Sequence, residues 1–497
     1  MTDASPSASS VAPAPEALAF ASGVELLAAL KAGTVTSRAL LELYLARIAR
    51  HNPALNAVIY MDADAARERA DAADAARARG ESWGPLHGLP MTVKESHHIA
   101  GWPTTWGDPA LKDFRPDHTG VVAQRLIDAG AIIFGKTNVP INLLDWQTYN
   151  AIHGRTGNPW RADVTPGGSS GGSAAALAAG LTAIELGSDA GGSVRFPAHF
   201  CGVFGHRPSI HVVPQAGNER PGSTIGNEVS TSGPMARSAA DLDLLMEVLA
   251  GPAGPDAIAW RLELPAPRAR KLTDFRVAVL YGSQIAEVDE SYASEIRALV
   301  TRLRAAGVNV NDNARPDFED AEHHHVLMQV LRGAASGRAT PAMVAAAEAT
   351  LREKGEDDQS YVADSARALL QSHRAWLGIQ ERRATIQRAW ATFFESYDVL
   401  LAPATTTAAF PFDEAGSRDG RTLPINGRQA DYNDQLFWAG IATLSGLPAS
   451  AAPIGQTKDG LPVGVQIVGP YLEDRTPIAF AAALEELHPF RIPPGFA

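Results

Sequence analysis

A single cysteine, Cys201, in 497 residues rules out any internal disulfide and fits a reducing compartment. It lies in the apolar run Phe200-Cys201-Gly202-Val203-Phe204, where an inert buried thiol is expected rather than a nucleophile. No apolar stretch reaches the roughly 18 residues that a membrane helix needs. There is no basic cluster or aromatic platform, and the formal charge is -12, which argues against a nucleic-acid partner. HExxH, CxxC and S-x-x-K are all missing, and no internal repeat is found. The run Glu322-His323-His324-His325 is not read as a metal site, because adjacent histidines on a helix point in different directions.

What the chain has in abundance is glycine and serine, concentrated between Thr165 and Pro197. One loop runs Gly167-Gly168-Ser169-Ser170-Gly171-Gly172-Ser173, and a second runs Asp189-Ala190-Gly191-Gly192-Ser193. Between them, 174–180 reads as a tightly packed helix and 181–186 as a buried strand. Glycine at this density lets backbone N–H groups converge on one point without side chains in the way. Converging N–H groups beside a serine hydroxyl are what acyl transfer needs, a nucleophile next to an oxyanion hole. A flexible linker is disfavoured by the apolar runs pressing on both loops. A phosphate cradle is disfavoured because no Gly-Lys-Ser/Thr follows either loop and no strand-GxGxxG-helix unit fits. Residues 167–171 also match G-x-S-x-G with Ser169 at the centre, but that elbow needs a buried strand before it. The preceding 158–166 is loop chemistry, so the elbow reading fails.

Elsewhere the chain alternates helix and short apolar strand. Helices are expected at 24–31, 38–50 (with Ser37 as N-cap), 63–79 and 121–129, and strands at 89–95, 131–135, 275–280, 399–401 and 463–468. That alternation argues for an α/β fold with a mostly parallel sheet covered on both faces. Residues 252–267 read as a surface linker and 317–394 as mainly helical. Residues up to about Pro15 lack the positive start and apolar centre of a signal peptide. The reading is a disordered tail over 1–17 and one domain over 18–497, in a soluble cytoplasmic protein. Lys94 ends an apolar strand. It is either an ordinary solvated lysine or a desolvated one that loses its proton near neutral pH, and periodicity does not choose.

Thr165 to Pro208 resembles the signature of the amidase signature enzymes. The resemblance extends through HGLPMTVKES (87–96), AGAIIFGKTNVP (129–140), GRTGNPW (154–160), GPMARSAADLDLL (233–245), LSGLPASAAPIG (444–455) and GLPVGVQIVGP (460–470). It implies one α/β/α sandwich around a large mixed, twisted sheet. It implies a Ser-cisSer-Lys triad, with Ser193 as nucleophile, Ser169 as bridging serine and Lys94 as base. The implied oxyanion hole is formed by N–H groups at Ala190, Gly191, Gly192 and Ser193, with Ser170, Asp189 and Arg195 bracing the loops. No metal or organic cofactor is implied. The chain departs from the family's pattern at Gly205-His206-Arg207-Pro208-Ser209 and at His97-His98.

Trp146, Tyr149, Phe437, Trp438 and His97 are the candidates for a substrate pocket, which suggests an aromatic or bulky amide. The 317–394 insert is expected to shape that pocket. The expected function is hydrolysis of a linear amide, anilide, ester or carbamate through a seryl acyl-enzyme, by the chain alone or as a homodimer. The alternative is the glutaminase-type subunit of a glutamyl-tRNA amidotransferase, which needs a partner protein. A silent binding protein on the same fold is disfavoured by intact Ser193, Ser169 and Lys94.

Overall fold

The computed structural model describes residues 14–224, 226–355 and 357–497. Most of the expected 1–17 tail lies outside the described residues, but Glu16–Phe20 form a 3-10 turn whose Glu16 pairs with Arg47. Eleven strands form one sheet. In chain order they are β1 (Val58–Met61), β2 (Pro90–Lys94), β3 (Ile132–Thr137), β4 (Glu185–Asp189), β5 (Phe204–Arg207), β6 (Thr231–Ala236), β7 (Arg276–Val279), β8 (Asn309–Asn311), β9 (Val399–Pro403), β10 (Ala449–Gln456) and β11 (Pro462–Val468). Their order across the sheet is β1-β3-β2-β4-β6-β5-β10-β11-β9-β7-β8.

The sheet is mixed, as expected, but it is not mostly parallel. Parallel pairing joins β3, β2 and β4 on one side and β9, β7 and β8 on the other. From β4 through β6, β5, β10 and β11 to β9, every pairing is antiparallel. Strands buried on both faces read as continuous apolar runs, and such runs carry no mark of the direction of their neighbour. β6 and β10 are short in large aliphatics and long in glycine, alanine, serine and proline, and β5 is four residues with one large apolar side chain, so composition marks none of them as strands.

Helices cover the sheet on both faces. Gly23–Ala32 starts at a capping box between Ser22 and Glu25 and stops at Gly33, whose φ of 71° suits only glycine well. Ser37–Leu55 is capped by Thr36, not by Ser37, which is its first helical residue. In Ala63–Ala78 the buried residues are Ala66, Ala70, Ala73 and Ala76, one narrow stripe at helical spacing. The 317–394 region folds as four helices, Asp320–Gly333, Pro341–Lys354, Tyr361–Leu370 and His373–Ser396.

The helix that positions the site is Gly171–Ala178, wholly buried and built of glycine, serine, alanine and one leucine. Small residues let it press against the backbone beyond β3. A Cβ on Gly172 would lie 2.3 Å from the Asn138 nitrogen and 2.6 Å from its carbonyl oxygen. Backbone cannot yield as a side-chain tip can. Gly172→Ala is therefore expected to cost about 1–3 kcal/mol by overpacking, seen as a lower midpoint of thermal unfolding. An unchanged midpoint would show that the helix is free to shift.

Candidate active site

Three loops meet at the carboxyl ends of β2 and β4. Lys94 is the last residue of β2 and is fully buried. Its Nζ lies 2.7 Å from Ser169 Oγ, 3.0 Å from Ser188 Oγ and 3.4 Å from the Ser188 carbonyl oxygen. Burial pushes its ammonium down to about 7, against the pull of Asp189, Glu185 and Glu95. The desolvated reading of this lysine is the one the structure supports. Glu185, also fully buried, is pushed up to about 8 by burial and bonds Thr92 Oγ1.

Ser169 follows a cis Gly168–Ser169 peptide. It lines a cleft of about 710 Å³ together with Ser188, Ala190 and Ser193. The Ser193 hydroxyl makes no hydrogen bond to Ser169 among the described residues. Ser170 ties the two glycine-rich loops together: its N–H donates to the Ser193 carbonyl at 3.1 Å and its Oγ meets the Ser188 backbone.

Asp189, at zero exposure, shapes the second loop. Its carboxylate accepts from the N–H groups of Gly192 at 3.0 Å and Val194 at 3.1 Å. Arg195 donates to it from Nε at 3.0 Å and from Nη2 at 2.8 Å, and Arg207 Nε lies 3.7 Å away. Burial alone would raise this carboxyl, but Arg195 and Arg207 hold it well below the usual carboxylate range. The N–H groups of Ala190, Gly191 and Ser193 have no acceptor among the described residues. Gly192 has φ 92° and faces the Phe196 ring, 2.4 Å from where a Cβ would stand. A neutral amine on one serine hydroxyl, a second serine beside it and unpaired N–H groups on the next loop can together move a proton and receive an oxyanion.

The expected pocket residues lie elsewhere. Trp146 is buried against Phe196 and Tyr432, and its Nε1 donates to the Gly191 carbonyl at 2.9 Å. It orients the loop from behind. Tyr149 bonds Arg421, and Trp438 is wholly buried. Phe437 packs against His323 and His324, lining a separate cavity. His97 is fully buried, with Nε2 3.2 Å from the Gly187 carbonyl, and burial pushes it down to about 3. None of the five lines the cleft that holds Ser169 and Ser193. Aromatic side chains carry the largest apolar area, and here the core has claimed them.

The cleft wall comes from segments without a motif of their own. Trp106, Asn142, Leu143 and Leu144 form one side, residues 215, 218–224, 226–227 and 230 a second, and Ala334, Ala335, Gly337 and Arg338 a third. The one available signal in the sequence is the long stretch between β5 and β6, rich in glycine, proline and asparagine. A loop of that length in a packed domain is usually functional. Cys201 is inert as expected, with its thiol 3.5 Å from the Pro166 carbonyl and pushed up by burial. No group of three metal-ligating side chains occurs among the described residues, and no described helix is long and apolar enough to cross a membrane.

The family model for amidases matches residues 39–477, and the chain belongs to that family. An indoleacetamide hydrolase of Bradyrhizobium diazoefficiens is 34% identical, over 93% of this chain and 86% of its own. A glutamyl-tRNA(Gln) amidotransferase subunit of a Synechococcus species is 32% identical, over 90% of this chain and 92% of its own. Among solved structures, a bacterial aryl acylamidase of the amidase signature enzymes superposes with a TM-score of 0.78 at 27% identity, covering 95% of this chain and 96% of that one.

The Asp189 carboxylate is the only acid within ion-pair distance of the Arg195 and Arg207 guanidiniums among the described residues. Asp189→Asn would leave two buried cations without a paired counter-charge. The expected loss is about 3–5 kcal/mol, measured as a fall in the unfolding midpoint. A loss within that of an ordinary surface substitution would mean the arginines are neutralised in another way.

Proposed function

We propose that the protein hydrolyses linear amides through an acyl-enzyme on Ser193. The observation that carries this reading is the 2.7 Å contact between a buried, deprotonatable Lys94 and Ser169, in a cleft shared with Ser193. In the proposed cycle neutral Lys94 takes a proton from Ser169, which takes one from Ser193 as Ser193 attacks the carbonyl carbon. The tetrahedral oxyanion is received by the N–H groups of Ala190, Gly191 and Ser193. Gly192 shares its N–H with Asp189 and fixes the curve of the loop. The proton returns through Ser169 to the leaving nitrogen, which departs as amine or ammonia. Water then enters by the same relay and frees the carboxylic acid. No step calls on a metal or an organic cofactor.

The second reading, a glutaminase-type component of a larger complex, rests on likeness to the tRNA amidotransferase relative. The two differ in what the purified chain does alone. We expect the isolated protein to hydrolyse amides, a fluorophosphonate to label Ser193 only, and Ser193→Ala to abolish both turnover and labelling while leaving the fold intact. Labelling at Ser169 would overturn the assignment of the nucleophile. Activity appearing only with a partner protein would favour the second reading.

The relay also fixes the sign of the pH dependence. Lys94 must be neutral to act, and its burial places that transition at about 7. Below that pH, kcat/KM should fall about tenfold per unit as the lysine protonates, and above it should level off. A profile flat from pH 5 to 8 would exclude Lys94 as the base.

A further inference from the structure

The charged side chains of the cleft are few. Two guanidiniums, Arg220 and Arg338, and one carboxylate, Glu219, line it. Arg220 is spent: Nη2 lies 2.8 Å from Asp108 Oδ2 and Nε donates to Asn142 Oδ1 at 2.7 Å. Glu219 is occupied too, one oxygen accepting from the Gly217 and Asn218 N–H groups at 2.7 and 3.1 Å. Arg338 differs. Its guanidinium has no hydrogen bond and no acid within ion-pair distance among the described residues, and the charge that acts on it is that of Arg220. Burial and that second cation both disfavour its charge, yet an arginine keeps its proton regardless. Asp108 pairs with Arg220 and Glu219 is held by backbone N–H groups, so Arg338 is the one lining guanidinium left without a partner among the described residues.

A second observation points the same way. Trp106 is fixed on the same wall, its N–H donating to Glu95 Oε2 at 2.9 Å and its carbonyl accepting from Asn142 N–H at 2.7 Å. Its indole Nε1 is buried with no partner. A buried donor without an acceptor is costly unless something else supplies one. Asn142 bridges Trp106 to Arg220, so the indole is tied to a second side of the cleft that Arg338 shares.

We propose that this enzyme's substrates carry a carboxylate remote from the scissile amide, and that Arg338 recognises it. The planar guanidinium fork matches a carboxylate in two parallel hydrogen bonds. Trp106, Leu143 and Leu144 supply an apolar flank for the carbon chain between the two groups. The proposal rests on the hydrolase reading above, and the two can fail separately.

The test compares matched amides: N-succinyl against N-butyryl p-nitroanilide for a charge on the acyl side, and the 4-carboxyanilide against the 4-methylanilide of one acid for the amine side. At least one charged member should exceed its neutral partner in kcat/KM by about tenfold or more, the scale of a charge-assisted pair. In Arg338→Gln that ratio should collapse toward one, with Arg338→Lys recovering part of it. Equal rates within both pairs, or a preference that survives Arg338→Gln, would overturn the proposal while leaving amide hydrolysis in place. Calorimetry of N-phenylsuccinamate on Ser193→Ala protein reads the same site without turnover. Binding there should weaken about tenfold when Arg338→Gln is added. If no amide is hydrolysed and yet this binding and its loss are seen, it is the hydrolase reading that falls.

Discussion

Asp189 is a negative charge taken entirely out of water, and the second glycine-rich loop has its shape because that charge is fully met. Two backbone N–H groups and the Arg195 fork are aimed at one carboxylate. A buried ion is tolerable only with such satisfaction, since its desolvation cost otherwise exceeds any Coulombic return. The constraint spreads outward. Arg195 also reaches the Ala439 carbonyl and Thr443 Oγ1, tying the loop to the helix Leu436–Thr443. With residues 189, 192, 194 and 195 pinned, the N–H groups at 190, 191 and 193 are the ones left without an acceptor among the described residues. The same interaction that stabilises the loop selects which donors remain free.

Two lysines sit at the ends of the adjacent parallel strands β2 and β3, and burial pushes both down to about 7. Their neighbours separate them. Lys136 Nζ is surrounded by the Glu95 and Pro103 carbonyls and Thr104 Oγ1, at 3.1, 2.7 and 2.7 Å. Two of these can only accept, which suits an ammonium. Lys94 Nζ has two hydroxyls closest to it, and a hydroxyl can donate to a neutral amine as readily as it accepts from a charged one. The proposed base, which changes protonation in every cycle, needs partners of that ambidextrous kind. A cation that locks a loop in place does not.

Part of the architecture is legible in the sequence because it rests on local chemistry. The helices near 24–31, 38–50 and 63–79 and the strand that ends in Lys94 follow from caps and apolar runs that neighbour each other along the chain. The helix expected over 174–180 instead begins at Gly171, inside the first glycine-rich loop, and the strand expected over 181–186 spans Glu185–Asp189, because glycine and serine give no local sign of where a buried element starts. The antiparallel centre of the sheet is not legible, since strands buried on both faces show no alternation and their partners are set by tertiary packing. The pocket escapes for a related reason. Trp146 and Trp438 suit a cavity lining because they are large and apolar, but such side chains are equally what a core of this size needs. Trp106, Arg220 and Arg338 come from three distant segments, and no periodicity links them.

The site therefore has two walls of different character. The rear is strand ends and a small-residue helix packed backbone to backbone, where a single methyl group finds no room. The front is drawn from loops, and long loops tolerate substitution far better than packed elements do. The short contacts are lodged in the rear wall, at Lys94, Ser169 and the loop of Asp189. In the proposed cycle that wall carries the chemistry and the front is left to recognise what lies beyond the scissile bond. A chain about a third identical both to an indoleacetamide hydrolase and to a tRNA amidotransferase component can keep the first wall and change the second, since nothing in the packing behind Ser193 depends on which side chain stands at 338.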